Sequence, residues 1–206
     1  MKRTSITIAV LALAAATSIP LTAQAQQASP WMVRARAVYL DSQNRDSTGL
    51  DLSVNNKWIP EVDVSYFFSP NFAVELILTY PQKHDLRAGG DKIGSLKHLP
   101  PTLLAQYHFT DFGAFKPYVG AGLNYTRISS VRFDSAVDAA LGPSVEKSSF
   151  GLAAQIGFDY EIQKNLYLNV DVKKLKLGVD VKSFGNKVGE FKLDPWLFGV
   201  GIGYRF

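Results

Sequence analysis

The residues of this chain that could do acid–base or ion-binding chemistry are arginines and carboxylates spaced two positions apart. Arg34 and Arg36 stand in one apolar segment, and Glu61 and Asp63 stand in another. Residues two apart in a β-strand point to the same face, and charges on a buried face must be paired. We therefore predict a structural cluster of ion pairs, with the members Arg34, Arg36, Glu61, Asp63, Glu75, Asp159, Asp171 and Arg205.

The histidines do not indicate an enzyme. His84, His98 and His108 have no serine or carboxylate dyad beside them, so the sequence predicts neither a catalytic triad nor an Asp/His protease site. Cysteine is absent and no His-x-x-x-His spacing occurs, so we predict no metal site. The glycines near the end of the chain line a strand and form no phosphate-binding loop, and no cofactor is predicted. The cations are dispersed, which argues against nucleic-acid binding.

The last residues of the chain indicate the kind of element that positions the charges. Bulky apolar side chains alternate strictly with glycine or arginine from Phe198 to Phe206. This period of two predicts a β-strand with one apolar face, as in a strand between lipid and a narrow barrel lumen. Tyr204 and Phe206 also match the C-terminal signal read by the machinery that inserts barrels into the outer membrane. We therefore predict a transmembrane β-barrel, with this assembly machinery as a partner during insertion.

The first residues resemble a secretory signal peptide. Two cations precede an apolar run, residues 6–16, that is too short to span a bilayer, and Ala23-Gln24-Ala25 fits a cleavage site. We predict that residues 1–25 are removed and that residues 26–206 form one barrel domain. An uncleaved anchor is the alternative. Without cysteine the chain can carry neither a lipoprotein anchor nor a disulfide.

Eight alternating segments are predicted as strands, approximately 31–41, 58–68, 72–81, 97–109, 116–128, 148–161, 166–177 and 193–206. Short turns alternate with long polar segments at about 42–57, 82–96, 129–147 and 178–192. This is the outer-membrane pattern, so we predict an all-β fold: an eight-stranded antiparallel up-and-down transmembrane β-barrel with periplasmic termini, short periplasmic turns and long extracellular loops. A soluble lipocalin-like barrel is the alternative, but it would not need such a segregation of loop lengths.

Several motifs resemble the OmpW family of outer-membrane proteins. They are His-Leu-Pro-Pro-Thr-Leu-Leu-Ala-Gln at 98–106, Lys-Pro-Tyr-Val-Gly-Ala-Gly-Leu-Asn-Tyr-Thr at 116–126, Leu-Asp-Pro-Trp at 193–196 and Gly-Tyr-Arg-Phe at 203–206. The resemblance implies a monomeric eight-stranded barrel in the outer membrane of a Gram-negative bacterium. It also implies a narrow hydrophobic cavity that passes small apolar molecules and, in some members, a role as a toxin receptor. A closed barrel has no free sheet edge, which agrees with a monomer.

The lumen is predicted to have two halves of opposite character. An eight-stranded barrel has room only for side chains or one small ligand, so the charged set would close the periplasmic half to water. The upper half is predicted to be an apolar cup formed by Leu40, Ile77, Leu104, Leu175 and Leu177. Lys174 and Lys176 then point outward, toward lipid and lipopolysaccharide phosphates. A bulge near Lys173 would reverse this assignment, and a packed lumen without a guest is an equal alternative.

Pro100 and Pro101 indicate a gap in the barrel wall. Proline has no N–H to donate to a strand ladder, so the pair predicts a lateral opening through which an apolar solute, blocked below by the charges, would leave. The predicted function is a narrow channel or binding cavity for small hydrophobic molecules. The alternative is a structural or interaction barrel with an inert lumen that acts through its extracellular loops. One of these loops, at 135–141, is predicted to contain a short helix.

Overall fold

The computed structural model describes residues 29–206. The predicted signal peptide, residues 1–25, and its cleavage site lie outside the described residues. Within the described part of the chain, no helix has the length and apolar character needed to cross a membrane.

Strands make up nearly all of the regular structure between residues 29 and 206. In chain order the elements are β1 (Trp31–Asp41), β2 (Arg45–Asp46), β3 (Leu52–Val54), β4 (Lys57–Phe67), β5 (Phe72–Leu78), β6 (Gln82–Ala88), β7 (Asp91–Leu99), β8 (Thr102–His108), β9 (Phe115–Phe133), α1 (Ser135–Leu141), β10 (Pro143–Val145), β11 (Ser148–Gln163), β12 (Leu166–Leu175), β13 (Gly178–Ser183), β14 (Asn186–Lys192) and β15 (Trp196–Arg205).

Eight of these strands close into an antiparallel barrel. Their order around the wall is β1, β4, β5, β8, β9, β11, β12 and β15, and β15 pairs back onto β1. The β1–β15 ladder runs unbroken from the pair Met32–Arg205 to the pair Asp41–Trp196. The predicted eight-stranded up-and-down barrel is confirmed.

The glycines on the lumen face of β15 make room for the arginines of β1. Gly201 lies opposite Arg36, and Gly203 lies opposite Arg34. A Cβ atom at Gly201 would come within 2.7 Å of the Cγ atom of Arg36, and one at Gly203 within 3.0 Å of the Cγ atom of Arg34. On the outer face of the same strand, Ile202 is 57% exposed. The alternation seen in the sequence therefore places arginine stems inside the barrel and apolar side chains outside it.

Two rows of exposed aromatic side chains border the apolar outer wall. The periplasmic row contains Phe68, Phe109, Tyr160 and Phe206, and the outer row contains Trp58, Tyr80, Tyr125, Phe150 and Trp196. Such belts mark the two bilayer interfaces. The part of the chain beyond the outer row, residues 43–56, 82–99, 128–147 and 177–193, is called the outer cap below.

The outer cap is folded into strands, whereas the sequence analysis predicted long polar loops there. β6 and β7 form a hairpin around Gly89-Gly90, where both φ angles are positive. β13 and β14 form a second hairpin, and β9 continues to Phe133. The strands within these long extracellular connections were not predicted because their outward residues are polar. The polar residues masked the alternation of buried side chains, such as His84 and Leu86, that indicates a strand.

The outer cap consists of two sheets around an apolar core. One sheet extends the barrel wall through β3, β6, β7 and β9, and the other has the order β10-β13-β14-β2. Their facing side chains form one buried cluster, which consists of Leu52, Val54, Leu86, Leu96, Ile128, Leu177, Val179, Val181, Phe191 and Leu193. These ten side chains therefore face inward, away from the surrounding water.

Candidate functional site in the lumen

Arg34 is the centre of the lower part of the lumen. Its guanidinium is fully buried and binds Asp159 with two bonds, from Nε to Oδ1 at 3.0 Å and from Nη2 to Oδ2 at 2.7 Å. Its Nη1 donates to Asp63 at 3.1 Å and to Ser65 at 2.8 Å. A bidentate arginine–carboxylate pair fixes orientation as well as charge, so Arg34 ties β1 to β4 and to β11 across the barrel.

Arg36 occupies the next layer and is surrounded by carboxylates. Its Nε lies 3.0 Å from Glu61, its Nη2 lies 3.0 Å from Glu75, and its Nη1 lies 2.9 Å from Asp171. The predicted charged residues of β1, β4, β5, β11 and β12 thus meet in one network. We call this network, with the lysine described next, the lumen plug.

Lys173 belongs to the lumen plug although the sequence analysis did not include it. Its ammonium lies 2.6 Å from Glu61 and 2.9 Å from Asp171. The signal was available, because Asp171 and Leu175 were both assigned to the lumen face and Lys173 shares their parity. β12 pairs with β11 without a bulge at this point, so the lumen assignment of Leu175 holds and the alternative with a bulge near Lys173 does not.

Neutral amides fill the space between the charges of the lumen plug. Gln106 donates from Nε2 to Glu75 at 2.9 Å and to Gln155 at 2.8 Å. Gln155 in turn donates to Asp171 at 2.7 Å. Buried polar groups are costly unless they are hydrogen-bonded, and these amides supply further partners to Glu75 and Asp171 across the barrel.

Arg205 lies below the lumen plug, not within it as the sequence analysis expected. Its guanidinium stacks over Phe67, with Cζ 4.1 Å from the ring centroid, and its Nε donates to the Ser29 carbonyl at 2.8 Å. It borders a separate periplasmic pocket of about 280 Å³ that Lys116 and Tyr167 also line. The reason is its position near the end of β15, close to the periplasmic end of the barrel.

Four of the five residues predicted to form the apolar cup pack tightly above the lumen plug. They are Leu40, Ile77, Leu104 and Leu175, and they form one buried cluster with Val38, Ile59, Ala153 and Leu197. A space of only about 20 Å³ remains beside this cluster, bordered by Ile77, Thr79 and Pro100. These side chains therefore form a packed layer and not the wall of an open cup.

Leu177, the fifth residue of the predicted cup, lies higher and lines a cavity inside the outer cap. Leu52, Leu86, Val179 and Phe191 also form its walls. The helix expected at 135–141 is α1, whose Leu141 borders the mouth. About 50 Å³ of the cavity is open to a sphere the size of a water molecule. Most of this wall was not predicted because it lies in segments interpreted as loops.

Comparison with known proteins agrees with this architecture. The model of the OmpW family matches residues 25–206. The chain belongs to the OmpW family. A relative from Sinorhizobium fredii, the uncharacterized outer-membrane protein y4mB, is 43% identical over 86% of this chain and 80% of its own length. Outer membrane protein W of Escherichia coli is 36% identical over 97% of this chain and 99% of its own length.

Two further comparisons extend this result. The crystal structure of the outer membrane protein OprG from Pseudomonas aeruginosa superposes with a TM-score of 0.77 at 27% identity, covering 87% of this chain and 97% of that one. A relative from Pseudomonas sp. strain C18, the dibenzothiophene metabolism operon protein DoxH, is 27% identical over 86% of this chain and 89% of its own length. The protein is thus an outer-membrane β-barrel whose relatives are outer-membrane barrel proteins.

Pro100 and Pro101 interrupt strand pairing on one side only in this OmpW-family barrel. Toward β9, the N–H of Tyr125 still donates to the Pro101 carbonyl at 3.0 Å. On the opposite side, toward β5 and β6, ladder pairing stops at Ile77–Thr102 and resumes at Gln82–His98. The unpaired segments 78–81 and 99–101 face each other in the outer half of the wall, next to the small space beside the packed layer.

Tyr204 and Phe206 lie at the periplasmic end of the barrel. Their rings pack edge to face with centroids 5.3 Å apart, and both are exposed on the outer wall. At the other end of the wall, Lys174 and Lys176 point outward beside Asp194, and the Lys176 ammonium lies 3.5 Å from its carboxylate. Both pairs of side chains are therefore placed where lipid and other membrane components can reach them.

Proposed function

We propose that this protein takes up small hydrophobic molecules into the cavity of the outer cap and releases them sideways into the bilayer. The observation that supports this most strongly is the order of the lumen from outside to inside. An apolar cavity comes first, a packed apolar layer second and the lumen plug third. Apolar pockets with few polar groups are the usual sites for small hydrophobic ligands.

The cavity must open to accept a guest. A dry apolar cavity of about 150 Å³ is sufficient to bind benzene, and about 50 Å³ is open here. The capping side chains Leu50 and Leu141 are partly exposed at the mouth, so an outward movement of α1 and of the segment around Leu50 provides the additional room. The strands beneath them need not move.

Passage straight through the barrel is opposed by the lumen plug. Removing one partner from a buried ion pair costs about 3–5 kcal/mol, so a path that separates the several pairs spanning the lumen is unfavourable. The gap at Pro100 and Pro101 offers an exit that breaks none of them, because the wall there lacks ladder hydrogen bonds. The resemblance to a protein named for a dibenzothiophene metabolism operon agrees with a small apolar cargo.

The outward lysines extend the proposal to the surrounding lipid. Lys176 is 60% exposed in its side chain and stands just above the apolar wall. Ammonium groups at this height can bind lipopolysaccharide phosphates by charge-assisted hydrogen bonds. We propose lipopolysaccharide as the lipid partner of this rim, the assembly machinery as the partner that reads Tyr204 and Phe206, and a monomer as the working state.

Nuclear Overhauser contacts from naphthalene to methyl groups of the barrel in micelles test the position of the binding site. We expect contacts with the methyls of Leu96 and Val179, which line the cavity, and none with Met32 or Ala73, which lie in the periplasmic half of the lumen. Contacts confined to Met32 and Ala73 would contradict the proposal. An absence of contacts with any lumen methyl would favour the alternative, a barrel that acts only through its extracellular surface.

A further inference from the structure

His98 is the polar exception on the wall of the cavity. Among the described residues that line it, every other side chain is apolar. His98 is only 3% exposed, and its Nδ1 has no hydrogen-bond partner. It begins the His-Leu-Pro-Pro-Thr motif, to which the proposed function so far assigns only the prolines.

His98 is held in place by a second buried histidine. The rings of His84 and His98 stack with their centroids 4.7 Å apart and their planes at 22°. The Nδ1 of His84 lies 3.1 Å from the Asn55 carbonyl. Since a carbonyl can only accept, this nitrogen carries the hydrogen and the Nε2 of His84 is a bare acceptor. That Nε2 also lacks a partner.

Both rings are uncharged near neutral pH. Burial lowers the pKa of His98 to about 3, and the neighbouring His84 and Lys57 act in the same direction. Burial lowers the pKa of His84 to about 4 against the opposing effect of the Asn55 carbonyl. A neutral imidazole gives a carboxylate no charge to pair with, but it offers one hydrogen-bond donor and one acceptor.

We propose that His98 makes the cavity selective for small apolar molecules that carry one hydroxyl group, namely alcohols and phenols. This inference rests on the proposed function and names its preferred ligand class. A buried polar atom without a partner is unfavourable, and a ligand hydroxyl can supply the partner to the Nδ1 of His98. A hydroxyl can donate to a bare ring nitrogen or accept from a protonated one, whereas an ether or a ketone can only accept.

The test compares the binding of 1-naphthol and of naphthalene to the full barrel in lipid nanodiscs, with empty nanodiscs subtracted. We expect 1-naphthol to bind about tenfold more tightly, the ratio that one net hydrogen bond supports. In His98→Phe the ring and its stacking partner remain but the nitrogens are lost, so the ratio should fall to about one. His108→Phe, which alters a buried histidine outside the cavity, should keep the wild-type ratio.

The outcomes separate this inference from the proposed function. If neither compound binds the wild type in the cavity, the proposed function fails. If both bind equally well, or if the preference survives in His98→Phe, only the selectivity is overturned. If His98→Phe loses heat-modifiable migration, the test is made on the wild-type protein by NMR. The ¹⁵N chemical shift of His98 Nδ1 should change with 1-naphthol and not with naphthalene. An equal change with both compounds would contradict the inference.

Discussion

The lumen plug and the outer-cap cavity belong to the same barrel but differ in what they bury: charged side chains in the plug and apolar side chains around the cavity. In the lumen plug Arg34 and Arg36 are fully buried, and carboxylates reach them from four other strands. In the cavity the wall side chains are apolar except for His98, whose Nδ1 has no hydrogen-bond partner. On the proposed function, the barrel is closed where its charges are paired and binds small molecules where its walls are apolar.

The largest expected effect comes from breaking the lumen plug. Arg36→Met leaves Glu61, Glu75 and Asp171 buried with less positive charge, and the loss of one partner from a buried network costs about 3–5 kcal/mol. Urea unfolding in micelles would measure it. Arg205→Met is the matched control, because this arginine lies outside the network, and it should cost less than about 1 kcal/mol. Equal losses for the two variants would remove the distinction between the regions.

A smaller effect is expected from acidification of the outer cap. The folded pKa values of His98 and His84, about 3 and about 4, lie below the ordinary value of 6.5. Below pH 6.5 the two histidines bind protons in the unfolded chain but not in the folded cap. Their contribution to the free energy of unfolding is therefore fully present above pH 6.5 and is lost as the pH falls toward 4. At pH 5 the loss is about 2 kcal/mol for each ring.

The comparison that isolates this effect is unfolding at pH 7.5 and pH 5 for the wild type and for His98→Phe. The groups facing the two rings, Lys57 and Asp85, and all lumen carboxylates are common to both proteins. The variant should therefore lose about 2 kcal/mol less on acidification. Identical pH dependence in the two proteins would show that the cap does not hold His98 neutral.

The sequence predicted the lower region better than the upper one, for a physical reason. Within one strand, parity fixes which residues share a face, so Arg34 with Arg36 and Glu61 with Asp63 were assigned correctly to the lumen. How high each residue sits depends on the stagger between strands, which parity does not reveal. Hence Leu177 was placed in one cup with Leu40 and Leu104 of other strands, although the structure puts Leu177 in the cavity wall and the other two in the packed layer.

The histidines show a second limit of the sequence. His84 and His98 lie on the two strands of one hairpin. The polar residues on the outer face of that hairpin made its sequence look like a loop. Their stacking follows from the β6–β7 pairing, in which Gln82 faces His98 and His84 faces Leu96. Only a prediction of that register would have brought the two rings together.

The central claim is that apolar molecules pass from the cavity to the bilayer without crossing the lumen plug. Uptake of a small apolar fluorophore into proteoliposomes tests it, with Leu96→Trp to fill the cavity and Val188→Trp, on the exposed surface of the same cap, as the matched control. We expect uptake near that of empty liposomes for Leu96→Trp, wild-type uptake for Val188→Trp, and slower uptake when Pro100 and Pro101 are both replaced by Val. Uptake by Leu96→Trp equal to the wild type would contradict the account.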